Sequence, residues 1–208
     1  MIIKNGLKTT FSHDVYPDSM EPWNAVLSKQ YGFSLVELIA TLSIAAILLT
    51  TAVPGFFSMI QRDRLTTQAN DFVSTLSLAR AEAASRGQRI VVCKSASPYN
   101  ACTGAGGWEQ GWIVFTDMNG DDLYTAAADG ANGILKVHEA LGGNTTLSGD
   151  ANIGNSIAFL GTGFSTVPQL RSLSLCDSSA DANKGKNIVL LAIGQARVDA
   201  NAPASCTP

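Results

Sequence analysis

One acidic residue stands at the entrance of a long apolar run. Gly32-Phe33-Ser34-Leu35-Val36-Glu37-Leu38 leads into residues 38–60, which carry no charge. A carboxylate so close to a hydrocarbon-compatible segment is expensive unless it meets a cation, so Glu37 is a functional candidate. A second oxygen-rich stretch, Asp117-Met118-Asn119-Gly120-Asp121-Asp122, begins like a calcium loop. An EF-hand would then require Gly at 122 and Glu at 128, where Asp122 and Ala128 stand, so the stretch reads as a strand-connecting turn. Catalysis has little to rest on: there is no G-x-S-x-G, no H-E-x-x-H and no G-x-x-x-x-G-K. His138, the one histidine beyond the apolar run, sits in an alternating strand-like stretch. The residues call for neither an enzyme, a cofactor nor a resident metal.

The elements that must position these residues follow from periodicity. Residues 38–60 are long enough to cross a bilayer core of about 30 Å as a helix. Pro54 lies inside that run and, lacking an N–H, should kink or loosen it. From 61 to 87 the character changes: Leu65, Ala69, Phe72, Leu76, Ala79 and Ala83 recur at spacings of four and three, one face of an amphipathic helix, with Val73 widening the stripe. Gly87 suits a left-handed residue just past its end. Arg62, Arg64, Arg80, Arg86 and Arg89 then read mostly as a solvated face or as membrane-proximal charges. Beyond Arg89 the pattern is that of strands, at 90–94, 112–116, 135–139, 157–160, 170–176 and 187–193, separated by Gly, Asn, Asp, Ser and Pro clusters. One long helix followed by six short strands predicts an α+β fold with mainly antiparallel sheets.

Formal net charge is −3. Lys4, Lys8 and Lys29 balance Asp14, Asp18 and Glu21 within residues 1–32, so the remainder also carries −3 and does not advertise bulk nucleic-acid binding. An ordinary secretory signal would have a shorter apolar region followed by a small-residue cleavage site. A plain single-pass anchor needs neither Gly before Phe nor the acid at 37.

The Gly-Phe-Ser-Leu-Val-Glu-Leu junction with its apolar helix resembles the class III signal of type IV pilins and type II secretion pseudopilins. The head continues the likeness: Cys93-Lys94-Ser95, a loop holding Cys102, Gly111-Trp112-Ile113-Val114-Phe115-Thr116-Asp117, Ser174-Leu175-Cys176-Asp177 and residues 188–198 resemble the FimT/GspH group of minor pilins and pseudopilins. The resemblance implies a leader, 1–32, removed by prepilin peptidase between Gly32 and Phe33, with N-methylation of the new Phe33 amine. Gly32, having no Cβ, leaves the backbone open to such an enzyme. It implies a transmembrane and filament-core helix over 33–60, its amphipathic continuation over 61–87, and a β-rich head over 88–208. Glu37 would pair with the Phe33 amine of a neighbouring subunit, and Pro54 stands where pilins of this group commonly carry a proline. Partners would be major and minor pilins or pseudopilins, first in the bacterial inner membrane with the head in the periplasm, then in a pilus or pseudopilus. The expected role is a minor pilin that initiates or primes pilus assembly near the tip, with a type II secretion pseudopilin as the alternative. The leader is long for this class; Met20 offers an alternative start, and Lys29 is the lone cation near the cut.

Cys93, Cys102, Cys176 and Cys206 all lie beyond the membrane run, in what would be an oxidising compartment. Four cysteines allow three connectivities. Cys93–Cys102, closing a tight loop around Pro98, and Cys176–Cys206, tying down the tail, is the favoured one. Some FimT-type pilins bind DNA through a C-terminal G-R-x-R loop. Here Gly194-Gln195-Ala196-Arg197 stands at the matching place, which leaves a DNA contact to Arg197, with Arg171 or Lys186 as candidate neighbours.

Overall fold

The computed structural model describes residues 32–150, 153–167 and 169–206; the leader over 1–31, with Met20 and Lys29, lies outside the described residues. Two compact units divide the chain, Met1–Ala46 and Ile47–Pro208.

Helix α1 (Leu35–Arg86) opens in the first unit and continues through the second. Ser34 stands just ahead of it, and its Oγ accepts the backbone N–H of Glu37 at 3.2 Å. That is one half of the capping box a Ser-x-x-Glu sequence encodes. Glu37 lies in the first turn, where a negative charge complements the helix dipole. The described side chains over 33–60 are all exposed. The hydroxyls among them do not compromise the apolar surface, because they bond inward. Thr41 donates to the carbonyl of Leu38, Ser43 to Ile39, Thr50 to Ile47, Thr51 to Leu48 and Ser58 to Gly55, at 2.8–3.0 Å. Internal satisfaction of this kind is what a helix needs in hydrocarbon, where no water is available.

Past Ile60 the helix acquires a buried face. Leu65, Ala69, Phe72, Leu76, Ala79 and Ala83 are buried, and Val73 packs beside them. The helix ends where Gly87 takes φ +64 and the N–H of Gln88 reaches back to the carbonyl of Ala83 at 3.3 Å. Only a residue without a Cβ adopts that left-handed turn at no steric cost.

Two four-stranded antiparallel sheets follow. The first contains β1 (Ile90–Lys94), β2 (Trp112–Thr116), β3 (Ile134–His138) and β5 (Ser156–Phe159), in the order β3-β2-β1-β5. The second contains β4 (Thr146–Gly149), β6 (Arg171–Cys176), β7 (Lys186–Leu190) and β8 (Ala196–Asp199), in the order β4-β6-β7-β8. Both strands at the centre of the first sheet are buried throughout, β1 and β2 alike. Strand alternation sends Ile90, Val92, Trp112, Val114 and Phe159 toward α1 and Val91, Cys93, Ile113, Phe115 and Ala158 into a smaller cluster on the other face. The segment carrying helix α2 (Ala126–Asp129) contributes Tyr124 to that second cluster. Both sheets and the α1 stripe share one core, in which Phe72 stands edge-on to Trp108 and Trp112.

The architecture is the α+β arrangement the periodicity predicts, with eight strands among the described residues rather than six. The two extra strands, β4 (Thr-Leu-Ser-Gly) and β8 (Ala-Arg-Val-Asp), are sheet edges. Strand β7 stops at Leu190 instead of running to 193. Leu191 N–H bonds to the carbonyl of Gln195 at 2.9 Å and closes a turn through Gly194 at φ +80.

Candidate functional site

Residues 32 and 33 and the first turn of α1 are exposed. Phe33 is 81% exposed, Gly32 precedes it, and Glu37 is exposed on the first turn of the helix. Residue 54, the proline position, lies within α1, which continues helically on both sides of it.

In the head the cysteines pair as Cys93–Cys102 and Cys176–Cys206, with Cα atoms 5.6 and 5.7 Å apart. The first bridge anchors the loop after β1 to a central strand. The second ties residues 200–206 to the end of β6, and the tail lies down there because Gly185 lacks a side chain. A Cβ at 185 would come within 2.7 Å of Pro203 Cγ. Replacing Cys176 and Cys206 together by serine opens a loop with a sequence separation of 30. The expected loss is about 3.6 kcal/mol on the chain-entropy account, read as a lower melting temperature that reductant does not lower further at this bridge.

The acidic loop after β2 does structural chemistry. Asp117 has a fully buried side chain; its Oδ2 accepts Arg89 Nε at 2.8 Å and its Oδ1 accepts the N–H of Gly120 at 2.7 Å. Arg89 also pairs with Asp122. Asp129, likewise buried, accepts the N–H groups of Met118 and Thr125 at 3.0 and 2.9 Å. These oxygens are therefore turned onto backbone donors and one guanidinium. Burial by itself lowers the Arg89 pKa, but the hydrogen bonds and charges of Asp122 and Asp117 outweigh it, and the value is raised. Arg89, which sequence reasoning assigned to a solvated face, instead joins the start of β1 to the end of β2. Its partners lie 28 and 33 residues away, beyond any local spacing signal.

His138 stacks on Trp112, ring centroids 3.9 Å apart, with Nδ1 2.7 Å from the carbonyl oxygen of Glu139. Trp112 Nε1 donates in turn to the buried Thr75 at 3.4 Å. The imidazole thus packs on the edge of the core.

Arg197 is exposed on edge strand β8, opposite Val189 of β7. Arg171 pairs with Leu190, and Lys186 with Leu175, one and three positions away from Val189. Because side chains alternate faces, both Arg171 and Lys186 fall on the side of the sheet away from Arg197. Arg171 lies 4.0 Å from Asp150. Register therefore separates the three cations that sequence reasoning grouped. A different cation adjoins the loop: Arg80 of α1 donates through Nε to the carbonyl of Gly163 at 3.0 Å, beside Gly194. Residues 80 and 194 are too distant in the chain for spacing to associate them.

The family profile of type II transport protein GspH matches residues 68–194. The prokaryotic N-terminal methylation motif matches residues 27–53. Among solved structures, the type IV minor pilin FimU of Pseudomonas aeruginosa superposes with a TM-score of 0.54 at 19% identity, covering 72% of this chain and 99% of FimU. The minor pseudopilin EpsH of the Vibrio cholerae type 2 secretion system gives 0.45 at 15% identity, covering 68% of this chain and 98% of EpsH. No curated protein matches the chain in sequence. The GspH profile spans more than half of the sequence, from the buried stripe of α1 to the turn before β8, and the methylation motif covers the junction at Phe33. The chain accordingly belongs to the family of type II transport protein GspH and carries the prokaryotic N-terminal methylation motif.

Proposed function

We propose that this chain is a structural, non-enzymatic subunit: a minor type IV pilin that helps initiate or prime pilus assembly, near the tip. The observation that carries the proposal is the exposed apolar surface over 33–60 on the helix whose later turns form a head-domain core. That surface must be covered, and either a bilayer or a bundle of like helices would cover it. Prepilin peptidase would cut between Gly32 and Phe33 and methylate the Phe33 amine. The chain would then wait as a single-pass protein of the inner membrane, head in the periplasm, until major and minor pilins take up its helix in a filament. Glu37 would neutralise the amine of a neighbouring Phe33.

Intact mass and N-terminal sequencing, from membranes with and without the peptidase, test this. An N-methylated chain beginning at Phe33, and found only when the peptidase is present, is the expected result. An uncut chain, or one cut beyond residue 60, would remove the filament role.

A type II secretion pseudopilin is the second reading, supported by the GspH profile. Neighbouring genes discriminate the two: pilus minor subunits in one case, a secretion channel and its ATPase in the other. DNA capture would rest on Arg197 alone at the 194–197 loop, since Gln195 occupies the place of the other arginine.

A further inference from the structure

The apolar run of α1 ends at Ile60, and the first charge after it is Arg62. The fold brings two lysines to that point from far along the chain. Lys184 closes the 3₁₀ turn Ala182–Lys184, and Lys186 opens β7. Alternation places Lys186 on the same side of the sheet as Ile188 and Leu190, the side that packs toward α1. Arg62, Lys184 and Lys186 line one cleft of about 260 Å³, together with Asn183, Asn201 and Asp199. The tail held by the Cys176–Cys206 bridge supplies one wall.

The acids nearby are occupied by their own turns. Asp199 Oδ1 accepts from both the N–H and Nδ2 of Asn201, each at 3.1 Å. Asp181, just outside the cleft, accepts the N–H of Asn183 at 3.0 Å and lies 3.7 Å from Lys184 Nζ. With Lys184 shared by Asp181, three cations meet two carboxylates and the cleft keeps a net positive charge from Arg62 and Lys186, with amide groups from two asparagines beside them.

Depth selects the ligand. At about 1.5 Å per residue, Arg62 lies roughly 3 Å beyond Ile60 along the helix. The headgroup layer extends about 5–7 Å beyond each face of the hydrocarbon core. If residues 38–60 span the bilayer, the cleft opens within that layer. We propose that it seats the phosphodiester of an anionic phospholipid of the phosphatidylglycerol type while the subunit is anchored. The inference rests on the membrane-anchor reading above. A zwitterionic headgroup fits poorly, because its ammonium would face the same three cations. Cations near an anionic lipid surface favour binding, and loss of both lysines is expected to remove a lipid preference of roughly tenfold.

The test uses the full-length chain in neutral detergent, with phosphatidylglycerol or phosphatidylcholine titrated in and retained lipid counted by native mass spectrometry. The expected result is one phosphatidylglycerol retained about tenfold more readily than phosphatidylcholine. Lys184→Gln with Lys186→Gln should level the two lipids, and Arg62→Gln, on a different element, should weaken the preference separately. An unchanged melting temperature verifies that each variant is folded. Equal retention of both lipids by the parent chain overturns the proposal, as does a preference that survives in all the variants. Complete displacement by millimolar inorganic phosphate would make the cleft a free-anion site and also overturns it. If the parent lacks lipid preference while the lysine variants fail to enter filaments, the cleft serves an acidic surface of a neighbouring subunit instead. Alkaline carbonate extraction of membranes separates the two levels. A chain released by carbonate fails the anchor reading, whereas a retained chain without lipid preference fails the cleft alone.

Discussion

Phe72→Ala is expected to cost the head domain about 3–5 kcal/mol and to lower its melting temperature by roughly 10 °C. Phe72 has no exposed surface and meets two indoles edge-on, Trp108 with centroids 5.4 Å away and Trp112 at 4.9 Å. Each such pair adds about 0.5–1.5 kcal/mol beyond simple burial. The cavity left by truncation would not close easily. Trp112 is held in β2 and bonded to Thr75 of the same helix, and Trp108 sits in a 3₁₀ turn next to it. Phe72→Leu keeps most of the volume and should lose about half as much. Urea unfolding followed by tryptophan fluorescence measures both, with Trp108 and Trp112 reporting on the site itself. A loss below about 1 kcal/mol for the alanine variant would show that the α1 stripe does not hold the two sheets together.

The same residues explain what could be read in the sequence. The stripe from Leu65 to Ala83 was legible because a helix buried on one side imposes a period of 3.6 on its apolar residues. β1 and β2 were legible because both of their faces are buried, so Ile-Val-Val-Cys and Trp-Ile-Val-Phe appear as unbroken apolar runs. β4 and β8 were not, because an edge strand needs little apolar content and is protected by polar or charged residues. Register hid more of the site than element boundaries did. Arg171 and Lys186 stand as candidate neighbours of Arg197 in the sequence, but pairing partners decide which face a cation occupies. The same register sends Lys186 toward Arg62 on α1, a pairing across more than a hundred residues that no local pattern carries. Asp117 was seen as a loop acid with metal-like spacing; its actual partner, Arg89, is set by strand pairing of β1 with β2.

The largest functional effect is expected at Glu37. If the mature chain begins at Phe33, its amine is a cation that must enter the apolar core of a filament, where an unpaired charge costs about 2.5–3.5 kcal/mol on membrane-insertion scales. Pairing with the Glu37 carboxylate of a neighbour removes two such penalties at once. Glu37→Gln isolates that charge, because glutamine at the third helical position still supports the capping box with Ser34 and leaves the start of α1 intact. Processing and membrane anchoring should then be unchanged, since the amine of an anchored chain remains at the bilayer surface. Entry into filaments should fall by roughly a hundredfold, the equivalent of one unpaired charge in the core. Immunoblots of sheared filaments against membranes, with the neighbouring pilins present at native levels, read the two quantities separately. Glu37→Asp, which keeps the charge but shortens its reach, should give an intermediate yield. Equal incorporation of Glu37→Gln and the parent would mean that the Phe33 amine finds its counter-charge elsewhere. The acid at the mouth of the apolar run would then serve only the helix start, through the dipole of α1.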